Sequence, residues 1–464
     1  MSSETLTRRK AGYFGAFCSA RARKAQALLH PIETKISRNL LALRSKILER
    51  ADFCSAAAKT QEILHVFPSI LTKDEQKCAS PKRSSGFTAH PRMNAIVNGT
   101  ILLPDTAVDG CALLYEDDVI CGVVHRDDVP ADATLIDACG GYVMPGLIDL
   151  HIHGYGGCDV CDGDPAALRQ MDAQMLKNGV TGWLATTMTT DEDTLRGAFE
   201  ACRMVMAEGG HALLGVHAEG PYINPTKVGA QNPAYATAPN PAFIKEYADV
   251  IRLLTLAPEM DGDFAAIREL KADTDIVLSM GHTDADYDIA LSAVEAGITH
   301  ATHLFNAMSP LHHRAPGAVG AALTADVSCE LIADNHHVHP ALYDLVWRQK
   351  TWDVCLVTDG LSATGTPDGI GTLGGQPITV KDGRCYLADG TLAGSTLHLW
   401  EAIRNLYTHS HIPLWECVNC ATFNPATVLG LDGKGSLEIG NDADILITDR
   451  DFRPLTTIFG GKIV

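Results

Sequence analysis

The chain has 464 residues, of which 46% are apolar and 20% charged, a composition typical of a globular protein that excludes a wholly disordered one. Its net charge of −19 argues against nucleic-acid binding by the acidic bulk of the chain. No apolar run could span a bilayer, and the 14 cysteines form no dense, evenly spaced framework, so we expect a soluble protein in the cytoplasm, with free thiols and no membrane partner.

Residues 1–92 differ from the rest of the chain in charge and in apolar content. They carry about 17 Lys and Arg against about 7 Asp and Glu, and they contain too few apolar residues to form a core of their own. We expect a basic extension that is disordered or is not part of the folded protein. A transit peptide and a segment that binds an anionic partner are the alternatives.

Residues 93–141 alternate short β-prone runs with turns, which predicts the first part of a small β domain. Turn signals at Asn98-Gly99 and Asp109-Gly110 separate these runs. Residues 435–464 contain a matching set of β-prone runs. We therefore expect one small β-sandwich domain that is formed from both ends and encloses residues 142–434.

Residues 142–434 alternate strand patterns with amphipathic helical patterns about eight times, which predicts an α/β fold with a (β/α)8 TIM-type barrel. The expected strands are Tyr142–His153, Thr181–Thr187, Ala212–Gly220, Arg252–Leu256, Asp275–Gly281, Ile298–Phe305, Cys329–Ala333 and Val354–Asp359. After the eighth strand, residues 381–387 are predicted to form an inserted hairpin around Asp382-Gly383.

Imidazoles and carboxylates stand at the carboxyl ends of most expected strands, where the chemistry of such barrels gathers. His151 and His153 are one residue apart, so their side chains point to the same face of a strand. The other strand ends carry His217, Glu219, His282, His300, His303, His336, His337, His339 and Asp359. Histidine and carboxylate ligands together suit Zn²⁺, Fe²⁺ or Mn²⁺, and a divalent ion can lower the pKa of a water molecule. Asp359 is then a candidate for moving protons.

Five motifs carry a resemblance to a known family. They are Pro145–Gly154, GVHAEGP at 215–221, SMGHTD at 279–284, THLFNAM at 302–308 and VTDG at 357–360. In this order they resemble the N-acetylglucosamine-6-phosphate deacetylase family of the amidohydrolase superfamily, from roughly Met93 to the end of the chain. A His-x-His pair with a late Asp indicates only the superfamily, whereas HAEGP and THLFNAM are specific to this branch.

The resemblance implies a metal-dependent enzyme that hydrolyses N-acetyl-D-glucosamine 6-phosphate to D-glucosamine 6-phosphate and acetate. It implies a main metal site formed by Glu219, His282 and His303. In members that carry the His-x-His pair, here His151 and His153, this pair adds a second site. One or two ions per subunit are therefore expected, with Zn²⁺ preferred over Fe²⁺ or Mn²⁺, and Asp359 is the expected acid and base.

The resemblance also implies a phosphorylated amino sugar as partner, a homodimer, and a set of substrate-binding residues. These residues are Ala230, Gln231, Asn306, Ala307, Arg314, His337, Ala393, Gly394 and Ser395. Within this set Arg314 and His337 would contact the 6-phosphate, because a guanidinium offers a planar fork for phosphate oxygens.

Two departures from the family pattern leave alternatives open. Ala315 follows Arg314 where many members have Glu, and Gln231 stands where some members have a histidine that polarises the carbonyl. The alternatives are the deacetylase of the galactosamine epimer, another amidohydrolase such as a cyclic amidase or deaminase, and a non-catalytic sugar-phosphate sensor. A sensor is expected to lack Asp359 or a metal ligand, and this chain lacks neither.

Overall fold

The computed structural model describes residues 93–373 and 376–464, so the prediction for residues 1–92 lies outside the described residues. Within the described part, no helix is both long and apolar enough to cross a membrane. The strands, in chain order, are β1 (Asn94–Val97), β2 (Thr100–Leu103), β3 (Thr106–Val108), β4 (Cys111–Glu116), β5 (Val119–His125), β6 (Thr134–Asp137), β7 (Tyr142–Pro145), β8 (Leu147–Ile152), β9 (Gly154–Tyr155), β10 (Cys158–Asp159), β11 (Val180–Thr187), β12 (Leu213–Glu219), β13 (Ile251–Leu256), β14 (Val277–Met280), β15 (His300–Ala301), β16 (Ser328–Ile332), β17 (Val354–Val357), β18 (Gly369–Leu373), β19 (Gln376–Lys381), β20 (Arg384–Tyr386), β21 (Leu392–Ser395), β22 (Ile445–Thr448), β23 (Pro454–Phe459) and β24 (Lys462–Ile463).

The helices, in chain order, are α1 (Pro165–Lys177), α2 (Glu192–Glu208), α3 (Pro241–Glu246), α4 (Ala265–Asp273), α5 (Tyr287–Ala296), α6 (Gly317–Thr324), α7 (Tyr343–Lys350), α8 (Leu399–His409), α9 (Leu414–Asn419) and α10 (Phe423–Leu429). Helix α2 shows how the sequence specifies them. The Asp191 side chain accepts from the Thr194 backbone N–H at the amino end, and Gly209 ends the helix with φ 69°. Leu195, Phe199 and Cys202 recur at helical spacing and are buried.

Two sheets that combine both ends of the described chain form the small β domain. Their strand orders are β5-β4-β1-β6 and β24-β23-β22-β7-β2-β3. Their apolar side chains share one core, which contains Ile96 and Leu113 from the first sheet and Ile101, Ile445 and Ile458 from the second. Alternate residues of a strand face the same side, so each short strand contributes one or more side chains to this core. The prediction of a small β-sandwich formed from both ends is confirmed.

Eight parallel strands form the barrel, in the order β17-β16-β15-β14-β13-β12-β11-β8. The last and first strands meet just beyond β17, where the Asp359 N–H donates to the His151 carbonyl at 2.9 Å and the His153 N–H donates to the Gly360 carbonyl at 2.8 Å. The (β/α)8 prediction is therefore confirmed, and the closing contacts lie among the predicted site residues.

The single strand predicted for Tyr142–His153 is wrong, because this segment forms two strands in two different sheets. β7 pairs with β2 and β22 in the sandwich, whereas β8 pairs with β11 in the barrel. The chain crosses between the sheets at Gly146, where an added Cβ would lie 2.0 Å from Thr181 Oγ1. Only glycine permits this close approach. The barrel thus begins at Leu147.

The sixth barrel strand is also shorter than predicted. The expected strand was Ile298–Phe305, but β15 comprises only His300–Ala301. His303, Phe305 and Ala307 have φ values of 28°, 80° and 50°, so the chain leaves the extended conformation early.

The predicted hairpin after the eighth strand belongs to a four-stranded antiparallel sheet, β18-β19-β20-β21. Its turn is at Asp382 and Gly383, with φ values of 52° and 70°, as a two-residue hairpin requires. Buried apolar residues of this sheet, including Leu373 and Ile378, pack against Leu361 beyond β17. The inserted sheet therefore stands beside the carboxyl ends of the barrel strands.

Candidate metal centre and substrate cavity

Glu219, His282 and His303 come from three different barrel strands and meet at the carboxyl end of the barrel. Glu219 ends β12, and its Oε1 lies 3.0 Å from His282 Nε2 and 3.0 Å from His303 Nε2. The two Nε2 atoms are themselves 3.0 Å apart. All three residues are buried. The structure thus brings together the three residues expected to form the main metal site.

His151, His153 and Asp359 form a second cluster beside the first. The Nε2 atoms of the two histidines are 3.3 Å apart, and Asp359 Oδ1 lies 3.5 Å from the first and 3.2 Å from the second. Glu219 connects the clusters, because its Oε1 is 3.5 Å from His151 Nε2 and its Oε2 is 3.3 Å from His153 Nε2. The two clusters therefore share one carboxylate.

Three of these residues stand where the backbone turns out of the barrel strand. His282, His303 and Asp359 have φ values of 48°, 28° and 48°, in the left-handed region that residues other than glycine rarely adopt. Such backbone conformations cost of the order of 1–3 kcal/mol each and cluster at functional sites. The strain is consistent with a site whose side-chain directions matter more than local backbone stability.

The outer nitrogens of the histidines show that the residues fit a divalent ion. His282 Nδ1 lies 2.8 Å from the Lys227 carbonyl and His153 Nδ1 lies 3.2 Å from the Thr186 carbonyl. A carbonyl only accepts hydrogen bonds, so each Nδ1 carries the proton when the ring is neutral, and each Nε2 presents a lone pair to the centre. Lone pairs that converge at about 3 Å need a cation between them, and outer hydrogen bonds of this kind are typical of metal-binding histidines.

The electrostatics of the site lead to the same interpretation. Burial works to lower the pKa of His153, but hydrogen bonds and charge from Asp359 and Glu219 raise it to about 9. Burial also opposes protonation of His151, yet the carboxylates of Glu330, Glu219 and Asp359 hold its pKa well above the usual value. Three buried carboxylates thus draw positive charge into the centre, as protons on imidazole or as a divalent ion.

A cavity of about 270 Å³ opens above the two clusters. Of the residues expected to bind substrate, it is lined by Ala230, Gln231, Asn306, Ala307, His337 and Gly394. The metal-cluster residues at its floor are His153, Glu219, His282, His303 and Asp359. The cavity therefore joins the candidate metal centre to most of the expected substrate contacts.

Gln231 is fixed at the cavity wall by both ends of its amide. Its Nε2 donates to Glu219 Oε2, and its Oε1 accepts from the Thr189 N–H at 2.6 Å. The amide thus orients the shared carboxylate of the two clusters. One Nε2 hydrogen is used for this, which leaves the other as a donor toward the cavity.

His337 is oriented by a neighbouring carboxylate. Its Nδ1 donates to Asp334 Oδ2 at 2.6 Å, and Asp334 Oδ1 accepts from the N–H groups of His336 and His337 at 2.8 Å each. Burial works to lower the pKa of His337, but the hydrogen bond and charge of Asp334 raise it above its usual value. The ring therefore suits an anionic group in the cavity.

Arg314 does not reach this cavity, in contrast to the expectation. It lies on an exposed loop, where backbone hydrogen bonds between His312 and Ala315 close a tight turn. The guanidinium Nη1 is 2.7 Å from His313 Nε2. Arg314 is exposed and is not among the residues that line the cavity of this chain.

Ala393 and Ser395 also stay behind the cavity wall. Ala393 is fully buried in the apolar core of the inserted sheet. Ser395 donates from its backbone N–H to the Asp359 carbonyl at 2.8 Å and from Oγ to the Thr358 carbonyl at 2.5 Å. Ser395 therefore holds the backbone of Asp359 in place and does not line the cavity.

Several residues at the site were not predicted. Apolar or small residues complete the cavity wall, namely Met188, Gly229, Leu361, Leu373, Thr391 and Leu392. Glu330 was missed as well, although it is fully buried and lies 2.9 Å from His151 Nδ1. The sequence signal that could have identified Glu330 was a single acidic residue within the apolar strand β16.

His217 and Asp149 are buried beneath the clusters and have structural contacts. His217 Nδ1 lies 3.1 Å from the Leu150 carbonyl, and its Nε2 lies 2.7 Å from Thr255 Oγ1. Asp149 Oδ2 accepts from Thr358 Oγ1 at 2.7 Å, which ties β8 to the end of β17. Burial raises the pKa of Asp149 to about 7.

Comparison with known proteins decides the family. The model of the amidohydrolase family matches residues 142–464. The chain belongs to the amidohydrolase family. Its curated relatives include the N-acetylglucosamine-6-phosphate deacetylase of Bacillus subtilis, 39% identical over 72% of this chain and 85% of that protein. They also include an N-acetylgalactosamine-6-phosphate deacetylase of Escherichia coli O157:H7, 35% identical over 75% of this chain and 93% of that protein.

Among solved structures of this family, the N-acetylglucosamine-6-phosphate deacetylase of Pasteurella multocida is similar over 80% of this chain and 99% of that chain, with a TM-score of 0.78 and 34% identity. The amidohydrolases of this family depend on divalent metal, in agreement with the two clusters of His, Glu and Asp in the described residues. The geometry and the comparisons therefore lead to the same class of enzyme.

Proposed function

We propose that the protein is a metal-dependent deacetylase that hydrolyses N-acetyl-D-glucosamine 6-phosphate to D-glucosamine 6-phosphate and acetate. One observation carries the proposal. The carboxylate of Asp359 stands at the floor of the cavity, 3.2 Å from His153 and next to Glu219, while His337 lines the same cavity. A proton acceptor, a candidate metal centre and an anion-binding imidazole thus face one space.

Asp359 would move the proton that the reaction requires. A divalent ion held by Glu219, His282 and His303 would lower the pKa of a water molecule and would polarise the acetamide carbonyl. Asp359 would accept the proton of the attacking water, since its carboxylate stands at the cavity floor beside His153. Asp359 then returns the proton to the amine nitrogen, which is a poor leaving group without it.

The cavity wall would hold the parts of the substrate that lie away from the reacting amide. We assign the 6-phosphate to His337, whose ring is oriented by Asp334, which also raises its pKa above the usual value. Asn306, Ala307, Ala230 and Gly394 line the walls where the sugar would lie. The sites proposed for Arg314, Ala393 and Ser395 are not retained as direct contacts within this chain, because their side chains lie outside the cavity lining.

We propose Zn²⁺ as the ion, with one ion at Glu219, His282 and His303 and a second at His151, His153 and Asp359. Support comes from the donor set, since imidazole nitrogen and carboxylate oxygen suit zinc, with Fe²⁺ and Mn²⁺ as alternatives. Within each cluster the ligand atoms lie within 4.8 Å of one another. Elemental analysis of the purified protein tests both the identity and the number of ions.

We also propose a homodimer in the cytoplasm. The resemblance to the deacetylase family supports the dimer, and sedimentation velocity tests it. Buried cysteines of the described residues, such as Cys202, Cys355 and Cys417, are free thiols, which suits a reducing compartment. Fractionation of cells that express the full chain tests the location.

The proposed division of the chain follows the sheets. The small β domain comprises residues 93–146 and 435–464, and the barrel comprises residues 147–434 with its inserted sheet. For residues 1–92 we retain the proposal of an extension outside the enzyme, which activity measurements on a chain beginning at Met93 would test.

Acetate release from a panel of N-acetyl hexosamines tests the proposed activity. The panel contains the gluco and galacto epimers, each with and without the 6-phosphate. We expect the 6-phosphorylated gluco compound to give the highest kcat/KM, and removal of the phosphate to raise KM. Preference for the galacto epimer would assign the protein to the epimer's deacetylase. Sugar-phosphate binding without acetate release, in metal-loaded protein, would indicate a sensor.

A further inference from the structure

Glu330 is a fully buried carboxylate that the proposed reaction does not use. It lies in β16 between Cys329 and Leu331, which are buried apolar neighbours. Burying an ionised carboxylate is strongly unfavourable unless charges or hydrogen bonds compensate for it. The position of Glu330 in the centre of the barrel therefore requires specific partners.

The hydrogen-bond partners of Glu330 are nitrogens of two histidines at the site, His151 and His303. Glu330 Oε2 lies 2.9 Å from His151 Nδ1 and accepts from the His303 backbone N–H at 3.0 Å. Glu330 Oε1 lies 3.5 Å from His300 Nε2. His300 Nδ1 is in turn 2.6 Å from Ser328 Oγ, and the serine hydroxyl donates to the Thr299 carbonyl at 3.2 Å. One carboxylate thus organises residues of both metal clusters.

The contact with His151 fixes what this ring presents to the centre. A carboxylate accepts hydrogen bonds, so His151 Nδ1 donates, and in the neutral ring Nε2 carries the lone pair. That Nε2 lies 3.3 Å from His153 Nε2 and 3.5 Å from Asp359 Oδ1. His153 is oriented differently, by a neutral backbone carbonyl at Thr186. Rotation or tautomer exchange of His151 would remove one donor from the second cluster.

We propose that Glu330 is a positioning residue, which fixes the tautomer and orientation of His151 and thereby completes the metal site formed with His153 and Asp359. This inference rests on the proposed function only in taking the protein to bind divalent metal. Carboxylates that hold a ligand histidine typically contribute about tenfold to a hundredfold in metal affinity.

Zinc binding to the full chain tests the proposal, with apo-protein titrated against a chromophoric chelator. The variants are E330A, which removes the acceptor, and E330Q, which keeps one acceptor oxygen without the charge. The matched control is E416Q, another buried glutamate, in helix α9 and outside both clusters. The melting temperature of each apo-protein separates positioning from folding.

We expect the unmodified protein to bind two zinc ions. In E330A one of the two equivalents should lose affinity by about tenfold to a hundredfold, in E330Q by less, while the other equivalent changes by less than about threefold. E416Q should bind both ions normally. Unchanged binding of both ions by E330A would overturn the proposal. The proposal would also be overturned if the affinity for both ions fell equally and in step with a lower melting temperature. It would be overturned as well if the unmodified protein bound a single ion. Because the readout is ion binding, failure of the deacetylase assignment would leave this result intact.

Discussion

Asp359 Oδ1 lies 3.2 Å from His153 Nε2, so the proposed proton acceptor touches an imidazole of the second metal cluster. This contact places Asp359 both at the cavity floor and at the edge of a metal site. The protonation of Asp359 therefore depends on what occupies the second metal cluster.

The first prediction is that Asp359→Asn lowers kcat by at least about a hundredfold, because a positioned acid or base contributes about 10² to 10⁴ in rate. The amide keeps the shape of the side chain and removes its basicity. We expect KM to change little and the ion at Glu219, His282 and His303 to be retained. Rate and zinc content are measured on the same preparation, with the exposed Asp389→Asn as control. A metal-replete variant with normal kcat would end the proposed mechanism.

The second prediction concerns the carboxylate shared by the clusters. Glu219→Gln should abolish activity and reduce binding of both ions, because Glu219 Oε1 contacts His282 and His303 while its Oε2 contacts His153. The fold should survive, as judged by circular dichroism. The control is E295Q, an exposed glutamate of helix α5. Full zinc content in E219Q would contradict the assignment.

The third prediction is a dependence of KM on pH that arises from His337. Its pKa is raised above the usual value by Asp334, so the cation is present at lower pH and is lost as pH rises through the raised pKa. The KM for the 6-phosphorylated substrate should therefore rise as the pH rises through the raised pKa of His337. A hydrogen bond to a charged group contributes about 1.5–3 kcal/mol, so His337→Asn should raise KM by about tenfold to 150-fold with kcat largely retained.

Two variants make this measurement specific. Asp334→Asn should move the rise in KM to lower pH, because the carboxylate that stabilises the imidazolium is gone. His336→Asn changes the exposed neighbouring ring and should leave the profile unchanged. A pH profile in H337N that matches the unmodified protein would show that another group titrates.

The fourth prediction concerns stability away from the site. Asp172 accepts from Trp183 Nε1 at 2.8 Å and from the Ala212 N–H at 2.9 Å, and all three residues are buried. Asp172→Ala leaves both donors unpaired, at about 1–3 kcal/mol for each, so we expect a loss of about 2–6 kcal/mol in the free energy of unfolding. Denaturant titration measures it, with the exposed Asp132→Ala as control. Loss of activity in folded D172A would contradict a purely structural role.

The sequence predicted the barrel and the strand ends well because both depend on local patterns. Alternating strand and helix periods specify the barrel, and polar residues directly after apolar strands mark its carboxyl end. The same patterns could not predict that Gly146 divides Tyr142–His153 between two sheets, because this depends on the approach of Thr181 from a distant segment.

The directions of side chains were predicted less well. Arg314 follows the THLFNAM motif closely, but it is exposed on a turn and is not among the residues that line the cavity of this chain. Glu330 was missed because its partners His151 and His303 come from other parts of the barrel and are distant from it in sequence. A pattern read along one strand does not reveal contacts across the barrel axis.

The sandwich built from both ends of the described chain has a consequence for the order of folding during synthesis. Ile96 and Leu113 leave the ribosome before the barrel, but their core partners Ile445 and Ile458 are made only after it. The apolar face of the first sheet therefore stays uncovered while the whole barrel is being synthesised. During that interval the nascent chain exposes surface that favours aggregation, so we expect chaperone binding to concentrate on the early strands.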